Sequence, residues 1–295
     1  MRPPKEIYLL ALCFFMLFFN FLFSQTTHPF IENKGQLPDG VISKINVPSG
    51  SIFIEKSSLV YSFYNNKQVS EQHNLRKQKQ SIDAHAYKVS FIGSNNKSSY
   101  SFSGRSSYYE NFYLSNKKFW AKRVGFYKSF SQQNVYSGID MNMYMENGLL
   151  KYDFIVHPKG KPNKIKLKYT GMENLYLKNG DLIIQTSVNN VTELNPYAYQ
   201  KINGEYIEVP CRYRIINNVV SFIFPEGYNK NEILIIDPTL IFSTYSGSIA
   251  DNFGYTATYD DPIQFPVGIS HVLVNGEFVV RDNNVTRAIP GRAIP

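Results

Sequence analysis

The sequence has very little cysteine, and this limits how the fold can be stabilised. Only Cys13 and Cys211 occur among the 295 residues. Cys13 lies inside an apolar N-terminal run, so Cys211 is the only cysteine left if that run is removed. No intramolecular disulfide is then available, and the mature fold must rest on its hydrophobic core. The alternation around Cys211 places it on one strand face with Tyr213 and Ile215, which favours a buried thiol over a nucleophile.

Catalytic and metal-binding motifs are also missing. The sequence contains no GxSxG motif and no glycine-rich phosphate loop. The histidines show no HxH or HExxH spacing, which argues against a zinc site. They are His28, His73, His85, His157 and His271. Asp140 and Asp153 are a conceivable acid and base, but both lie in ordinary strand-and-turn contexts, where structural or solvated roles are far commoner. We therefore predict no catalytic residues, no cofactor and no metal site.

Only one long apolar run is present, at residues 7–23. Arg2 and Lys5 precede it, and Ser24 and Gln25 follow it, a pattern typical of a secretory signal peptide. An uncleaved membrane anchor is the alternative, because the run is near the lower length limit for a span. We predict a signal peptide at residues 1–24 and export to the extracellular space, cell surface or periplasm. Contact with a membrane is expected only through this segment during export.

The charge balance is basic, with a formal net charge of +8. Such a charge suits an anionic partner, for example nucleic acid, lipid A or an acidic glycan. The basic residues are scattered along the sequence, however. Lys164, Lys166 and Lys168 alternate with apolar residues, which is typical of a solvated strand face. The sequence therefore predicts no nucleic-acid partner.

Tyrosine and phenylalanine are abundant, with 22 of each, and both favour strands. Apolar and polar residues alternate with period two, for example over 87–91 and 150–156, as in strands with one buried face. Asn-Gly pairs at 179–180 and 203–204, and the pair Asn217-Asn218, predict tight hairpins. We predict an all-β fold of antiparallel sheets, sandwich-like, over residues 28–238. The polar stretches 65–85 and 94–101 are predicted to be loops.

One aromatic stretch has two interpretations. Tyr108, Tyr109, Phe112 and Tyr113 follow each other closely. Their rings are suited to stacking on the sugars of a glycan, but packing in a core is the commoner role. The sequence leaves both interpretations open.

Several sequence segments in the body of the chain resemble one known family. They are FIENKGQL (30–37), YYENFYL (108–114), VYSGIDMNMY (135–144), LKYDFIVHPKGKPNKIKLKYTG (150–171), LNPYAYQKING (194–204) and IIDPTLIFSTYSGS (235–248). Together they resemble the N-terminal β-rich domain of large secreted Bacteroidota proteins that continue into an SBBP-type β-propeller. Residues 239–260 are similar to the start of a first propeller repeat. The resemblance implies a surface protein that acts as an adhesion or interaction scaffold.

The last 35 residues resemble a different family. Residues 261–295 are similar to the extreme C-terminus of N-acyl-D-amino-acid deacylases, metal-dependent members of the amidohydrolase superfamily. Locally they predict a β-hairpin around Asn275-Gly276. In that family the zinc ligands lie in a barrel that has no counterpart here, so the resemblance does not imply hydrolysis.

These observations favour a secreted or cell-surface, non-catalytic β-domain, an adhesion or interaction scaffold truncated before its propeller. One alternative is a fragment of a metal-dependent deacylase, suggested by the tail alone. A second alternative is a glycan-binding module. The expected partner is a surface glycan or a protein.

Overall fold

The computed structural model describes residues 29–69, 81–146 and 149–243, together with three short strands between residues 271 and 285. Strands make up 61% of the chain and helical pieces only 5%, which confirms the all-β prediction. Two 3-10 turns, Lys117–Phe119 and Pro162–Lys164, and a helical turn at 66–69 are the described helical pieces. No helix among the described residues has the length and hydropathy to cross a membrane.

Nineteen strands form one antiparallel sheet. In chain order they are β1 (Phe30–Glu32), β2 (Val41–Val47), β3 (Gly50–Glu55), β4 (Ser58–Tyr64), β5 (Ala84–Phe91), β6 (Ser99–Phe112), β7 (Ala121–Tyr136), β8 (Ile139–Glu146), β9 (Leu149–Val156), β10 (Leu167–Thr170), β11 (Asn174–Lys178), β12 (Asp181–Gln185), β13 (Asn190–Glu193), β14 (Tyr197–Ile202), β15 (Glu205–Glu208), β16 (Arg212–Ile216), β17 (Val219–Ile223), β18 (Leu234–Asp237) and β19 (Thr239–Ser243).

The sheet runs as a chain of neighbouring strands and is nearly closed into a barrel. Its order is β16-β17-β10-β5-β4-β3-β2-β1-β7-β8-β9, and β6 also pairs with β7. Beyond β9 it divides, because β18 continues to β14 and β15, whereas β19 continues to β13, β12 and β11. The sequence predicted a sandwich-like arrangement, and the structure instead curls one sheet around its core.

Pro238 separates β18 from β19 at this division. Proline has no backbone N–H and interrupts a ladder of hydrogen bonds. The two strands therefore pair with different parts of β9, with Leu234 opposite Val156 and Thr239 opposite Lys151. The described sheet thus extends to Ser243, past the predicted domain boundary at residue 238.

The core contains a buried carboxylate among aromatic rings. In β9, Tyr152 and Phe154 point inward as the alternation predicts. The hydroxyls of Tyr152 and Tyr169 each donate a 2.7 Å hydrogen bond to Glu193, which is only 1% exposed. Burial raises the pKa of Glu193, and the tyrosine hydroxyls, including that of Tyr213 nearby, offset part of the rise. Such a group is tolerated inside a protein because its oxygens accept hydrogen bonds.

The predicted turns are confirmed by their backbone angles. Asn179, Asn203, Asn217 and Asn218 all have φ between 50° and 60°. Each pair separates two strands that pair with each other, β11–β12, β14–β15 and β16–β17. Positive φ is what a tight two-residue hairpin requires, and asparagine and glycine accept it most readily.

Two predicted loop boundaries are wrong. The stretch 65–85 includes the helical turn at 66–69, and its last two residues already belong to β5. The stretch 94–101 ends inside β6, which begins at Ser99. In both places pairing with a neighbouring strand extends the sheet into polar sequence, a tertiary effect that local composition does not show.

Several predicted features lie outside the described residues. They are the signal peptide at 1–24, His28, His73, the 260/261 junction and the Asn275-Gly276 turn. In the tail, β20 (His271–Val274), β21 (Glu277–Arg281) and β22 (Asn284–Val285) form a separate antiparallel sheet. The side chains of the deacylase-like segment 261–295 are also outside the described part.

Candidate binding surface

The two longest strands, β6 and β7, form a hairpin whose end carries exposed aromatic rings. They are joined by residues 113–120, and we call residues 108–123 the hairpin tip. Tyr108 is 58% exposed, Tyr113 is 57% exposed and Trp120 is 44% exposed. The aromatic stretch singled out in the sequence is therefore mostly on the surface. Its member Phe112 is half-buried and packs against a small core.

Cationic side chains lie over these rings. The Lys117 ammonium is 5.6 Å from the centre of the Trp120 ring, and the Arg123 guanidinium is 4.9 Å from that of Tyr109. Residues 99–136 contain six basic residues and one acidic residue, a net charge of +5 out of +8 for the chain. The basic residues are spread along the chain, but most of the net positive charge lies on this hairpin because it has a single acidic residue. Cation–π contacts of this kind hold a cation and an aromatic face together at a surface.

Hydrogen bonds within the tip fix its shape. The Trp120 indole donates to the carbonyl of Leu114 at 2.7 Å. The Asn116 side chain accepts from the Lys118 backbone at 2.9 Å and so caps the 3-10 turn. Asn111 accepts from the backbone N–H of Arg123 at 2.8 Å. A surface held in one conformation loses less conformational entropy when it binds a partner.

The segment FIENKGQL clamps the base of this hairpin. Glu32 accepts hydrogen bonds from the Gly125 backbone at 2.6 Å and from the Tyr127 hydroxyl at 3.2 Å. Lys34 pairs with Glu32 at 2.9 Å and donates to the Arg123 carbonyl at 2.7 Å. Burial alone would raise the pKa of Glu32, but these hydrogen bonds from Lys34 and Gly125 outweigh it and lower the pKa.

A second small core lies beneath the tip. Ile31, Ala121 and Val124 are buried together, and Phe112 and Phe126 pack against them. This cluster is separate from the main core. It gives the tip apolar support from its own residues and from β1.

Asp140 and Asp153, the conceivable acid–base pair, have different partners. Asp140 contacts the His157 ring at 2.8 Å and accepts from the Asn134 backbone at 2.6 Å. Asp153 instead accepts from the Tyr144 hydroxyl at 3.4 Å. Both carboxyls lie on outward-facing positions of neighbouring strands, but the structure does not join them in one site.

Asp153 belongs to an outward-facing polar cluster that the sequence analysis missed. Burial, followed by the nearby charge of Asp237, raises the pKa of Asp153 to about 7. Lys151 forms 2.9 Å ion pairs with both Asp237 and Glu146. The strands β8, β9 and β18 bring these groups together across the sheet.

The described histidines have structural partners. His85 contacts the Ser187 hydroxyl at 2.9 Å and the Gly171 carbonyl at 2.6 Å. Its Nδ1 also accepts from the Ser187 backbone at 3.2 Å, so Nε2 donates to Gly171. Within the described ranges, no three histidine, cysteine, aspartate or glutamate side chains gather as metal ligands.

A groove of about 540 Å³ lies elsewhere on the sheet. Its lining includes Leu177, Pro196, Tyr197, Pro210 and Arg212. Cys211 also borders it, and burial raises the pKa of this thiol to about 12. The cysteine is only 7% exposed, as the alternation predicted.

Comparison with known proteins gives one match. A family model described as a domain of unknown function, DUF7948, matches residues 30–239. No curated protein and no solved structure matches the chain. The matched range covers the main sheet up to the first residue of β19.

Proposed function

This chain belongs to the DUF7948 family, and we propose that it is a secreted or cell-surface, non-catalytic β-domain that serves adhesion or interaction. The observation that carries the proposal is the hairpin tip, where exposed aromatic rings and cations stand together. Aromatic and basic side chains held in place at a surface are typical anchors of binding interfaces. The N-terminal sequence pattern supports export.

The groups with strongly shifted pKa values have structural surroundings, which supports a non-catalytic function over catalysis. Glu193 is enclosed by tyrosines in the core, and Asp153 lies in an ion-pair cluster on the sheet. Perturbed groups of this kind mark active sites in some proteins and structural networks in others. Here the partners of both groups are side chains of the fold itself, which favours the structural role.

A glycan-binding module is the second candidate. The observation in its favour is the exposure of Tyr108 and Tyr113, since aromatic rings stack on the apolar faces of sugars. This candidate uses the same surface and differs only in its ligand.

The test is binding of the purified protein to immobilised alginate, chitin, collagen and phospholipid vesicles. The double variant Tyr113→Ser/Trp120→Ser is compared with the control variant Tyr206→Ser, because Tyr206 is an exposed tyrosine, paired with Lys201, on a different hairpin. We expect the tip variant to lose most binding to whichever material retains the protein, and the control to keep it. Equal retention of both variants would show that the tip is not the binding surface.

A further inference from the structure

We infer that the hairpin tip docks onto the surface of an anionic lipid bilayer, with its aromatic end at headgroup level. This inference rests on the proposed function, because it assumes that the tip is the binding surface. It names one partner chemistry, a membrane that displays anionic phospholipid headgroups, whereas the sequence alone predicted contact with a membrane only through the N-terminal segment during export.

The tip extends beyond the rest of the sheet. β8 pairs with β7 only from Ser129 onward, and on β7 the pairing with β1 involves only Phe126 and Tyr127. Among the described strands, residues 121–125 of β7 pair only with β6. Beyond the strands, the tip contacts the segment that follows β1, where Lys34 donates to the Arg123 carbonyl and Asp39 pairs with Lys118.

The apolar end of the projection has the composition of a membrane interface. Tyr113, Leu114 and Trp120 are each more than two-fifths exposed. Tryptophan and tyrosine prefer the interfacial layer, where an apolar ring and a polar edge are both accommodated. Leu114 adds an aliphatic side chain that gains only by contact with an apolar phase.

Cations surround this apolar end. Lys117, Lys118, Lys122 and Arg123 are all exposed. The 3.6 Å ion pair between Lys118 and Asp39 joins two side chains that are 67% and 95% exposed, so it is easily exchanged for a lipid phosphate. Long basic side chains can keep their charge at the headgroups while their stems cover apolar surface.

The same geometry is poorly suited to a sugar platform. The rings of Tyr113 and Trp120 meet edge to face at 86°, so they do not present one flat surface to a pyranose. The side-chain oxygens of Asn111 and Asn116 accept backbone hydrogen bonds of the tip itself, and Glu110 accepts from Tyr108. The other exposed side chains of the tip are mainly cationic or apolar. They favour an anionic partner that is bound without directional hydrogen bonds.

The protein has a built-in probe for this test, because Trp120 is its single tryptophan. The purified protein is mixed with vesicles of phosphatidylcholine alone, or of phosphatidylcholine with phosphatidylglycerol. We expect a blue shift of the Trp120 emission and co-sedimentation only with the anionic vesicles. Phosphatidylcholine brominated along its acyl chains, included in the anionic vesicles, should quench the emission.

Variants separate the tip from other surfaces. Lys117→Gln/Lys118→Gln should weaken vesicle binding about 25-fold, because each basic residue near an anionic membrane contributes about fivefold. The matched control is Lys164→Gln/Lys166→Gln, which also removes two exposed lysines, just before β10, and should bind as wild type. The N-terminal apolar run is common to all variants, so only differences between them count.

Three outcomes overturn the inference. The first is sedimentation without quenching of Trp120, which would place the contact elsewhere. The second is equal loss of binding in the control variant. The third is a Trp120 shift with alginate or single-stranded DNA and none with anionic vesicles, which would make the partner a soluble polyanion. In this third case the proposed function still holds. Binding to every material that does not depend on the tip would refute both the proposed function and the membrane inference.

Discussion

Stability should fall as the pH rises from about 4 to about 7 because of Asp153. Its pKa is raised from 3.8 to about 7 in the fold, first by burial and then by Asp237. In this pH window the unfolded chain has lost the proton and the folded chain still holds it. Stability therefore decreases with increasing pH. The stabilisation that the protonated Asp153 carboxyl contributes is fully present below pH 4 and is lost above pH 7.

The magnitude follows from the same shift. Linkage gives about 4 kcal/mol for a pKa displaced this far. Asp153 is partly exposed, and solvent screening reduces the expected loss to about 2 kcal/mol. Asp153 lies beside Asp237, and in its protonated form it is a potential hydrogen-bond donor to that carboxylate. Deprotonation removes this donor and places two like charges together.

Asp153→Asn is the informative variant, because its amide keeps the shape and the donor of the protonated acid. We expect it to match wild type near pH 4 and to exceed its free energy of unfolding by about 2 kcal/mol at pH 8. Urea unfolding at several pH values measures both. Asp39→Asn, at a carboxylate that is 95% exposed, is the control. A gap between Asp153→Asn and wild type that does not change with pH would refute the reasoning.

Other positions give independent tests. Glu193→Leu should cost about 3 kcal/mol in the free energy of unfolding, because two buried tyrosine hydroxyls lose their acceptor, and Glu193→Gln should cost less. Gly125→Ala should cost about 1–3 kcal/mol, since a Cβ there would lie 2.8 Å from Glu32 Oε1, and the cost should shrink in a Glu32→Ala background. Iodoacetamide at pH 8 should label Cys211 far more slowly in the native protein than in urea, because burial suppresses its thiolate. Comparable labelling rates would show that the thiol is accessible.

The sequence predicts the strands of this protein better than the clusters of side chains that different strands bring together. Period-two alternation correctly assigns the buried positions of β9, and asparagine marks the hairpin turns. Glu193 also lies at an inward position of β13, two residues after Val191 and at the end of the strand, so the alternation contained a sign of a buried acid. Its tyrosine partners come from β9 and β10, at separations of 41 and 24 residues. Pairing between such distant strands is not encoded in any local pattern.

For a similar reason, the sequence shows which residues form the hairpin tip but does not show that their rings are exposed. The aromatic stretch is visible in the sequence, whereas the basic residues around Trp120 were interpreted as part of a scattered distribution. Whether such rings are buried depends on whether another layer covers them, and β6 has β7 as its one described partner. The exposure of the rings is therefore decided by the tertiary structure.

FIENKGQL links the fold to the proposed surface. Its first residues form β1, which takes the edge of β7 that β8 leaves free. Glu32 and Lys34 then hold the Gly125 and Arg123 backbone, at the point where the hairpin leaves the sheet. A projecting hairpin without such a clamp would be marginally stable in water. Because the clamp and the small core around Val124 both act at the base, the exposed rings beyond them remain free to meet a partner in a fixed arrangement. One of the segments on which the family resemblance rests is thus the one that holds the tip in a fixed arrangement.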